Sequence, residues 1–317
     1  QEEFDALWHD KSAVPLSEFI IEDIKRISKR RVIETIDEWK ENEDVEAPST
    51  AVESPVYREH LGLWEHQKYF IDLAFRDHKQ SYGARYILAD QVGLGKTIQL
   101  AMSAQLMALY GDKPVLIIVP KTLIWQWQDE MNMLLDMPSA VWNGKVWVDE
   151  DGFEYPNKGI QDVLKCPRKI GIISQGLIVS KSPIIEHLLS KDYECIIVDE
   201  SHRARRKNLG EGKEHNSPDP NNLYDFLLKA SLKTKSMLLA TATPIQMYPI
   251  ELWDLMNILS QKNDSVLGSQ SSFWRKGNKK LQGLNLIMGK ESMEFFDPEN
   301  WEWIRNPFPP SSENVLF

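Results

Sequence analysis

An α/β fold, with a doubly wound parallel sheet enclosed by helices, is predicted from the alternation of two kinds of segment. From about residue 56 onward, short runs of Val, Ile and Leu alternate with longer segments whose apolar residues recur at helical spacing. The runs have no polar interruption, which is typical of parallel strands buried on both faces. This alternation implies right-handed crossovers, and the ligands of such sheets lie beyond the carboxyl ends of the strands.

Each predicted element follows from its local pattern. The predicted strands are the apolar runs 86–89, 115–119, 170–174, 195–198 and 237–240. The predicted helices are the amphipathic segments 66–77, 97–109, 122–135, 182–190, 221–231 and 250–261. Asn143-Gly144 and Asp151-Gly152 predict a small hairpin excursion, because these residue pairs favour tight turns. Residues 206–221, which are polar and contain Gly and Pro, predict a mobile surface loop.

Three parts are expected along the chain. Residues 1–55 predict a helical segment, in which isoleucines recur mostly every three or four residues, followed by an acidic linker. Residues 56–261 contain the predicted α/β domain. Residues 262–317 form a C-terminal extension, whose acidic and aromatic end fits either a docking segment for another domain or a frayed terminus.

Composition excludes several classes of protein. The chain has 317 residues, of which 42% are hydrophobic and 26% charged, as in ordinary globular proteins. Its apolar runs reach about five residues, whereas a membrane span needs about 20. Two cysteines do not suffice for a disulfide framework or a four-cysteine zinc site. Since no apolar leader opens the chain, a cytoplasmic location without a membrane partner is expected.

Net charge is concentrated near the N-terminus. Residues 1–60 carry 16 acidic and 8 basic side chains, whereas the remaining 257 carry 31 and 29. The negative total therefore does not exclude nucleic acid, because binding depends on local basic surfaces. Two basic clusters are more typical of solvated faces than of phosphate contacts: Arg203, Arg205, Arg206 and Lys207, and Arg275, Lys276, Lys279 and Lys280 beside Phe273 and Trp274.

The loop after the first predicted strand carries the strongest functional signal. Residues 88–97 read Leu-Ala-Asp-Gln-Val-Gly-Leu-Gly-Lys-Thr, and a helical pattern follows. The N–H groups of such a loop and of a helix N-terminus face an anion, which predicts a phosphate site. Lys96 would reach the β- and γ-phosphates, and the Thr97 hydroxyl would bind Mg²⁺. Asp90 stands where the strict form of this motif has its first glycine. The alternative is a plain strand-to-helix turn with a surface lysine.

Two adjacent carboxylates follow the predicted strand at 195–198. Carboxylates at the end of a buried apolar strand cost free energy unless they meet a cation or water. Asp199 is therefore a candidate Mg²⁺ ligand, and Glu200 a candidate base for an attacking water. The alternative is a structural pair at a helix start, which the phosphate loop upstream disfavours.

Seven segments, in order, resemble the motifs of the helicase superfamily two ATPases. The resemblance is to Swi/Snf-related DNA translocases, particularly the bacterial branch that includes the RNA-polymerase-associated ATPase. The matching segments are 63–67, 88–97, 118–120 with 127–130, 172–174, 199–203, 239–246 and 251–259. Gln91, Ser201 and Ala242 depart from residues common in the family, and none of them removes a group that hydrolysis requires.

The resemblance implies a RecA-like lobe that uses ATP and Mg²⁺, and it assigns residues to roles. The implied catalytic residues are Glu200, Asp199 and Lys96, and the implied metal ligands are Thr97 and Asp199. Adenine would be read by Gln67. The nucleotide would be held by Asp90, Gln91, Val92, Gly93, Leu94, Gly95, Lys96, Thr97 and Ile98. Coupling to nucleic acid would involve Thr241, Thr243 and Gln246, and contacts with its backbone Pro120, Lys121 and Ser174.

The implied function is that of the ATP-binding first lobe of a DNA-dependent ATPase or translocase, with double-stranded DNA as its partner. In this family a second RecA-like lobe supplies arginine fingers from a Gln-x-x-Gly-Arg-x-x-Arg type motif, and the sequence contains no such string. Because such fingers are worth about 10³–10⁵ in rate, the chain alone is expected to bind nucleotide but hydrolyse it poorly. The alternatives are a non-catalytic nucleotide-sensing scaffold and a strand-separating helicase subunit. A role in bacterial DNA defence is compatible with the implied function.

Overall fold

The computed structural model describes residues 63–91, 93–214, 216–287 and 290. The predicted N-terminal helix and linker, Val92 and the segment 291–317 lie outside the described residues. The chain divides into two compact units. The first contains the described residues up to Glu200 together with Lys233–Ala242, and the second contains Ser201–Leu232 and the described residues from Thr243 onward. The three-part division into 1–55, 56–261 and 262–317 stays a prediction.

The first unit is a sheet of eight strands, within the described residues, and the helices that connect them. The strands are β1 (Arg85–Leu88), β2 (Val115–Val119), β3 (Ala140–Trp142), β4 (Trp147–Asp149), β5 (Glu154–Tyr155), β6 (Ile170–Ser174), β7 (Tyr193–Val198) and β8 (Thr234–Ala240). The helices are α1 (Glu65–Lys79), α2 (Lys96–Tyr110), α3 (Ile124–Leu135), α4 (Gln175–Val179) and α5 (Ile184–Ser190), with 3₁₀ turns at Lys121–Leu123 and Ile160–Leu164. All five predicted strands and the first four predicted helices are confirmed, with small shifts at their ends.

Strand order places the functional motifs side by side. The sheet runs β1-β8-β7-β2-β6-β3-β4-β5, and the pairs from β1 to β3 are parallel. The antiparallel strands β4 and β5 confirm the predicted hairpin excursion. Its first turn is closed by a hydrogen bond from the Asn143 N–H to the Val146 carbonyl, and Gly144 adopts a φ of 107° there.

The central strands are buried on both faces, as their apolar sequences predict. Val115, Ile117 and Val119 of β2 belong to one core cluster with residues of α1, α2 and α3. The intervening Leu116 and Ile118 are equally buried but lie outside that cluster. Since successive side chains of a strand point to opposite faces, both faces of the sheet are covered. The predicted doubly wound α/β class is therefore confirmed.

The second unit is helical in its described part. It contains α6 (Asn222–Ala230), α7 (Ile250–Leu259), α8 (Asp264–Leu267) and α9 (Gly277–Ile287), with 3₁₀ turns at Ser201–Arg203 and Phe273–Arg275. The last two predicted helices, now α6 and α7, are confirmed. Asn221 caps α6 by accepting a hydrogen bond from the Tyr224 N–H at 2.9 Å. Trp253 of α7 donates its indole N–H to the Trp274 carbonyl at 2.8 Å, which fastens the Phe273–Arg275 turn.

One of two expectations about the second unit is corrected. The loop at 206–221 is paired at its base, where Arg206 bridges Pro220 and the Lys207 N–H donates to the Asp219 carbonyl, and its mobility stays a prediction. The basic clusters are not uniformly solvated. Arg206 is buried with an acidic partner, and Lys280 is buried with its ammonium 4.3 Å from the centre of the Trp253 ring. Partner groups that replace water make both burials possible.

Among the described residues, no helix combines the length and the apolar character that crossing a membrane requires.

Candidate active site

Three motifs follow three adjacent strands and therefore meet at one edge of the sheet. The phosphate-loop motif follows β1, Thr241 follows β8 and Asp199 follows β7. Backbone hydrogen bonds hold this edge together, because the Thr241 N–H donates to the Leu88 carbonyl at 3.1 Å and the Asp199 N–H to the Ile118 carbonyl at 3.0 Å. This is the carboxyl edge, where ligands of parallel sheets bind.

The loop between β1 and α2 has the backbone of an anion cradle. Gly93 and Gly95 adopt φ angles of 90° and 72°, and residues other than glycine rarely adopt such positive values. Gly95 is the N-cap of α2, so Lys96 and Thr97 occupy the first turn of a 15-residue helix. The free N–H groups of that turn and the helix dipole favour a negative ligand.

Lys96 lies within this loop. Its ammonium donates to the Asp90 carbonyl at 2.7 Å and to the Gln91 carbonyl at 3.0 Å. Burial raises the pKa of the Asp199 carboxyl, and the positive charge of Lys96 opposes that rise. The Lys96 ammonium suits the phosphates of a nucleoside triphosphate. The Thr97 hydroxyl and the Asp199 carboxylate offer the oxygen ligands that Mg²⁺ prefers. The residues present therefore fit both groups.

Gln67 and Gln99 brace the loop from two sides. The Gln67 amide donates to the Leu94 carbonyl at 3.2 Å, and its oxygen accepts from the Trp64 N–H at 3.0 Å. The Gln99 amide donates to Asp90 Oδ2 at 2.8 Å, which fixes the residue at the nonstandard first position of the motif. Gln67 thus has a structural role in the loop, and its contact with adenine stays a prediction. Gln99 is not among the residues predicted from the sequence.

Asp199 is held by hydrogen bonds on both carboxylate oxygens. Oδ1 accepts from the Glu200 N–H at 2.9 Å, and Oδ2 accepts from the Trp127 indole N–H at 3.1 Å. The Gln175 amide donates to the Asp199 carbonyl at 2.6 Å. Burial raises the pKa of Asp199, because it removes the carboxylate from water; the two hydrogen bonds and Lys96 oppose this rise, and the charge of Glu200 adds to it.

Glu200 adopts a left-handed backbone conformation with a φ of 48°. This backbone region is strained for a residue that has a β-carbon, and such strain recurs at functional sites. The turn it creates ends β7 and leaves the Glu200 side chain half-buried. Both the strain and the partial exposure fit a carboxylate that meets a ligand.

The remaining predicted residues are distributed over both units. Thr241 is buried in the first unit at the end of β8, whereas Thr243 and Gln246 belong to the second unit. Lys121 is exposed in the 3₁₀ turn that follows β2. Ser174 is mostly buried, and its hydroxyl caps α4 by accepting from the Gly176 N–H at 3.1 Å.

Pro120 is buried beside Lys121, and Ile98 is buried within α2. Gln91 is exposed in the loop.

Sequence reasoning gave no individual role to Trp127, Gln175 or Glu251. Trp127 lies within the third matching motif, but only the fold brings its indole to Asp199. Glu251 accepts from three successive N–H groups, those of Gln246, Met247 and Tyr248, at 2.8–3.0 Å. An acidic residue after a loop of small and apolar residues is the one signal that could have indicated this role.

The sequence of the chain matches a known protein family. Residues 66–289 match the SNF2-related domain family. The chain belongs to this family. The resemblance to Swi/Snf-related ATPases that the seven motifs indicate is therefore confirmed.

Several curated proteins are similar in sequence to this chain. The "uncharacterized ATP-dependent helicase YqhH" of Bacillus subtilis is 31% identical over 206 residues, which cover 65% of this chain and 31% of that protein. The "RNA polymerase-associated protein RapA" of Pasteurella multocida is 33% identical over 189 residues, which cover 59% of this chain and 18% of that protein. The chain thus spans about a third or less of the length of these relatives.

Solved structures of SNF2-related proteins are also similar. The Sulfolobus solfataricus SWI2/SNF2 ATPase core in complex with dsDNA matches 71% of this chain and 42% of its own length, with a TM-score of 0.48 and 18% identity.

Proposed function

We propose that this chain is the ATP-binding lobe of a DNA-dependent ATPase or translocase that hydrolyses ATP with Mg²⁺ to move on or remodel double-stranded DNA. The observation that carries this proposal is the meeting of the Lys96 loop with Asp199 and Glu200 at one edge of the sheet. Membership of the SNF2-related family supports it. So do the relatives' names, which include an ATP-dependent helicase and an RNA polymerase-associated protein.

In this proposal the loop binds the phosphates. Lys96 exchanges its bonds with the Asp90 and Gln91 carbonyls for bonds with phosphate oxygens, which carry a full negative charge and are stronger acceptors. The N–H groups at the start of α2 bind the same oxygens. Gln67 and Gln99 keep the loop in the shape that this exchange needs.

Asp199 and Thr97 are the residues that would hold Mg²⁺. When bound, the ion neutralises negative charge on the phosphate oxygens. The Glu200 carboxylate would accept the proton of the water that attacks the γ-phosphate, which is the role of a general base. Thr241, at the end of the strand between the loop and Asp199, would respond to the γ-phosphate and, with Thr243 and Gln246, couple hydrolysis to nucleic acid.

Duplex DNA is the proposed partner, and the exposed Lys121 is a suitable contact for a phosphate of its backbone. A second RecA-like lobe would supply arginine fingers, so turnover by this chain alone would be slow. The rival function, a scaffold that binds nucleotide without hydrolysis, does not account for Glu200, because such a scaffold needs no carboxylate to activate water.

Nucleotide binding by the 317-residue chain tests the proposal. A fluorescent, non-hydrolysable ATP analogue is titrated with Mg²⁺ into the wild type, Lys96→Ala, Glu200→Gln and Lys145→Ala. Lys145 is an exposed lysine in the hairpin and serves as the matched control. We expect Lys96→Ala to weaken binding more than tenfold, and the other two variants to bind like the wild type. Equal binding by Lys96→Ala and Lys145→Ala would overturn the proposed phosphate site.

A further inference from the structure

Two side chains reach Asp199 from the segments that carry the predicted nucleic-acid contacts. Trp127 lies on α3, which follows the turn containing Lys121, and its indole N–H lies 3.1 Å from Asp199 Oδ2. Gln175 follows Ser174 directly, and its amide nitrogen lies 2.6 Å from the Asp199 carbonyl. All five residues belong to the first unit.

The Trp127 side chain is locked in place. It is 2% exposed and belongs to the core cluster that also contains Ile124 and Met131 of the same helix. A ring packed in this way cannot rotate without disturbing the core, so the direction of its N–H is fixed. An indole has one hydrogen-bond donor and no acceptor, and the Trp127 indole donates its single hydrogen bond to Asp199.

Gln175 is held by a single described hydrogen bond of its side chain. It is 2% exposed, and among the described residues its Oε1 has no hydrogen-bond partner. Leaving a buried acceptor unpaired costs free energy, so an apolar side chain of similar size would cost less at position 175 than the Gln175 amide does. In return, the amide provides a hydrogen bond that holds the backbone of Asp199.

Together these bonds leave Asp199 little freedom. Glu200 and Trp127 each occupy one lone pair on a different carboxylate oxygen, and Gln175 fixes the backbone from which the carboxylate extends. An ionised carboxylate has about four lone-pair sites, so both oxygens keep one site for a metal ion. Groups that orient metal ligands in this manner strongly affect metal affinity.

We propose that Trp127 and Gln175 are positioning residues that orient Asp199 for Mg²⁺, and that Trp127 transmits a nucleic-acid contact at Lys121 to it. This inference rests on the proposed ATPase function. Lys121 and Trp127 are joined by a continuous 3₁₀ turn and helix, and Ser174 and Gln175 are neighbours in the chain. A shift of the Lys121 turn on DNA would therefore move the indole donor that binds Asp199.

The test uses Trp127→Phe and Gln175→Met, each with a matched control. Trp147→Phe also removes the N–H of a buried tryptophan, which donates to the Asp162 and Val163 carbonyls instead. Gln128→Met removes a buried amide that donates to the Ser139 and Val148 carbonyls. Affinity for the fluorescent ATP analogue is measured with Mg²⁺ and with EDTA.

We expect Trp127→Phe and Gln175→Met to reduce the gain in affinity from Mg²⁺ by roughly tenfold, as outer-shell substitutions do. Binding in EDTA, and both controls, stay at the wild-type level. If the Mg²⁺ gain of both variants equals that of the wild type while Lys96→Ala still loses binding, the inference fails and the proposed function stands. If Lys96→Ala binds like the wild type, the proposed function itself fails.

Two further measurements secure the result. Incorporation of β-(3-benzothienyl)alanine at position 127 keeps the ring shape and removes only the N–H, so it reproduces the loss even where Trp127→Phe folds poorly. Stimulation of ATP turnover by duplex DNA, measured on the complete product of the gene, should fall more than basal turnover in Trp127→Phe. Wild-type stimulation in that variant would overturn the transmission of DNA contacts through Trp127.

Discussion

Arg206 and Asp254 form a bidentate ion pair that is fully buried in the second unit. Arg206 Nε lies 2.8 Å from Asp254 Oδ2, and Nη2 lies 2.6 Å from Oδ1. The Tyr224 hydroxyl also donates to Oδ1 at 3.2 Å. Because Arg206 lies in the segment that follows Glu200, the pair fastens this segment to α7.

Removal of one partner is predicted to destabilise the second unit strongly. Asp254→Ala leaves the Arg206 guanidinium buried without a counter-charge, which costs about 3–5 kcal/mol of unfolding free energy. Urea unfolding measures this loss. Lys229→Ala breaks the half-exposed pair with Asp225, and should cost about 0.5 kcal/mol or less. Similar losses in the two variants would contradict the structural role of the buried pair.

Glu251 is predicted to hold the backbone of the loop at 246–248. Its Oε2 accepts from three N–H groups, and the carboxylate is buried. Glu251→Ala removes the shared acceptor, so the amides of Gln246, Met247 and Tyr248 should exchange with deuterium at least about tenfold faster, since hydrogen bonds to charged groups contribute about 1.5–3 kcal/mol. Amides of α6 serve as the internal reference. Unchanged exchange at all three positions would refute the assignment.

Stability of the first unit is predicted to depend on pH through His78. The side chain is fully buried, with Nδ1 2.8 Å from the Ser236 hydroxyl and Nε2 3.4 Å from Glu194 Oε2. Burial, aided by the charge of Lys235, outweighs the attraction of that carboxylate and lowers the pKa of His78 from 6.5 to about 3. Between these values the unfolded chain binds a proton that the folded chain does not. The free energy of unfolding therefore falls with falling pH, by up to about 1.4 kcal/mol per pH unit.

Urea unfolding at pH values from about 7 to 4 checks this prediction. His78→Gln removes the titrating group, so its stability should fall less steeply over this range than that of the wild type. His187→Gln, on α5, is the matched histidine substitution and should keep the wild-type slope. An identical slope in His78→Gln and the wild type would show that other groups cause the dependence.

The two glycines of the phosphate loop are predicted to differ in their tolerance of alanine. Both have positive φ, so alanine at either costs about 1–2 kcal/mol of backbone strain. A β-carbon at Gly93 meets open space, whereas one at Gly95 would lie 2.4 Å from the Gln67 amide nitrogen and displace it. Gly95→Ala should thus weaken nucleotide binding more than Gly93→Ala does.

Gly144→Ala is the control for strain alone. Gly144 has a φ of 107° and open space around its β-carbon, but it lies in the hairpin turn. Nucleotide affinity should be unchanged in this variant. Equal affinity in Gly93→Ala and Gly95→Ala would contradict the bracing role of Gln67.

Local patterns predicted most of the fold, because buried parallel strands and amphipathic helices leave strong periodic signals. The loop at 88–97 and the carboxylates Asp199 and Glu200 could be proposed as site residues because the chemistry depends on residue types at fixed spacing, and their roles in hydrolysis stay predictions. Contacts such as that between Trp127 and Asp199 were not, since they join residues far apart in the chain and depend on strand order. Burial of Arg206 was missed for the same reason, because its partner is 48 positions away.

We propose the Lys96 loop and Glu200 as the site of DNA-dependent ATP hydrolysis. Steady-state ATP turnover by the complete product of the gene, with and without duplex DNA, tests it most directly. We predict strong stimulation by duplex DNA in the wild type and its loss in Lys96→Ala and in Glu200→Gln, although Glu200→Gln still binds nucleotide. Full DNA-stimulated turnover in Glu200→Gln, or bound nucleotide without turnover in the wild type, would contradict the claim.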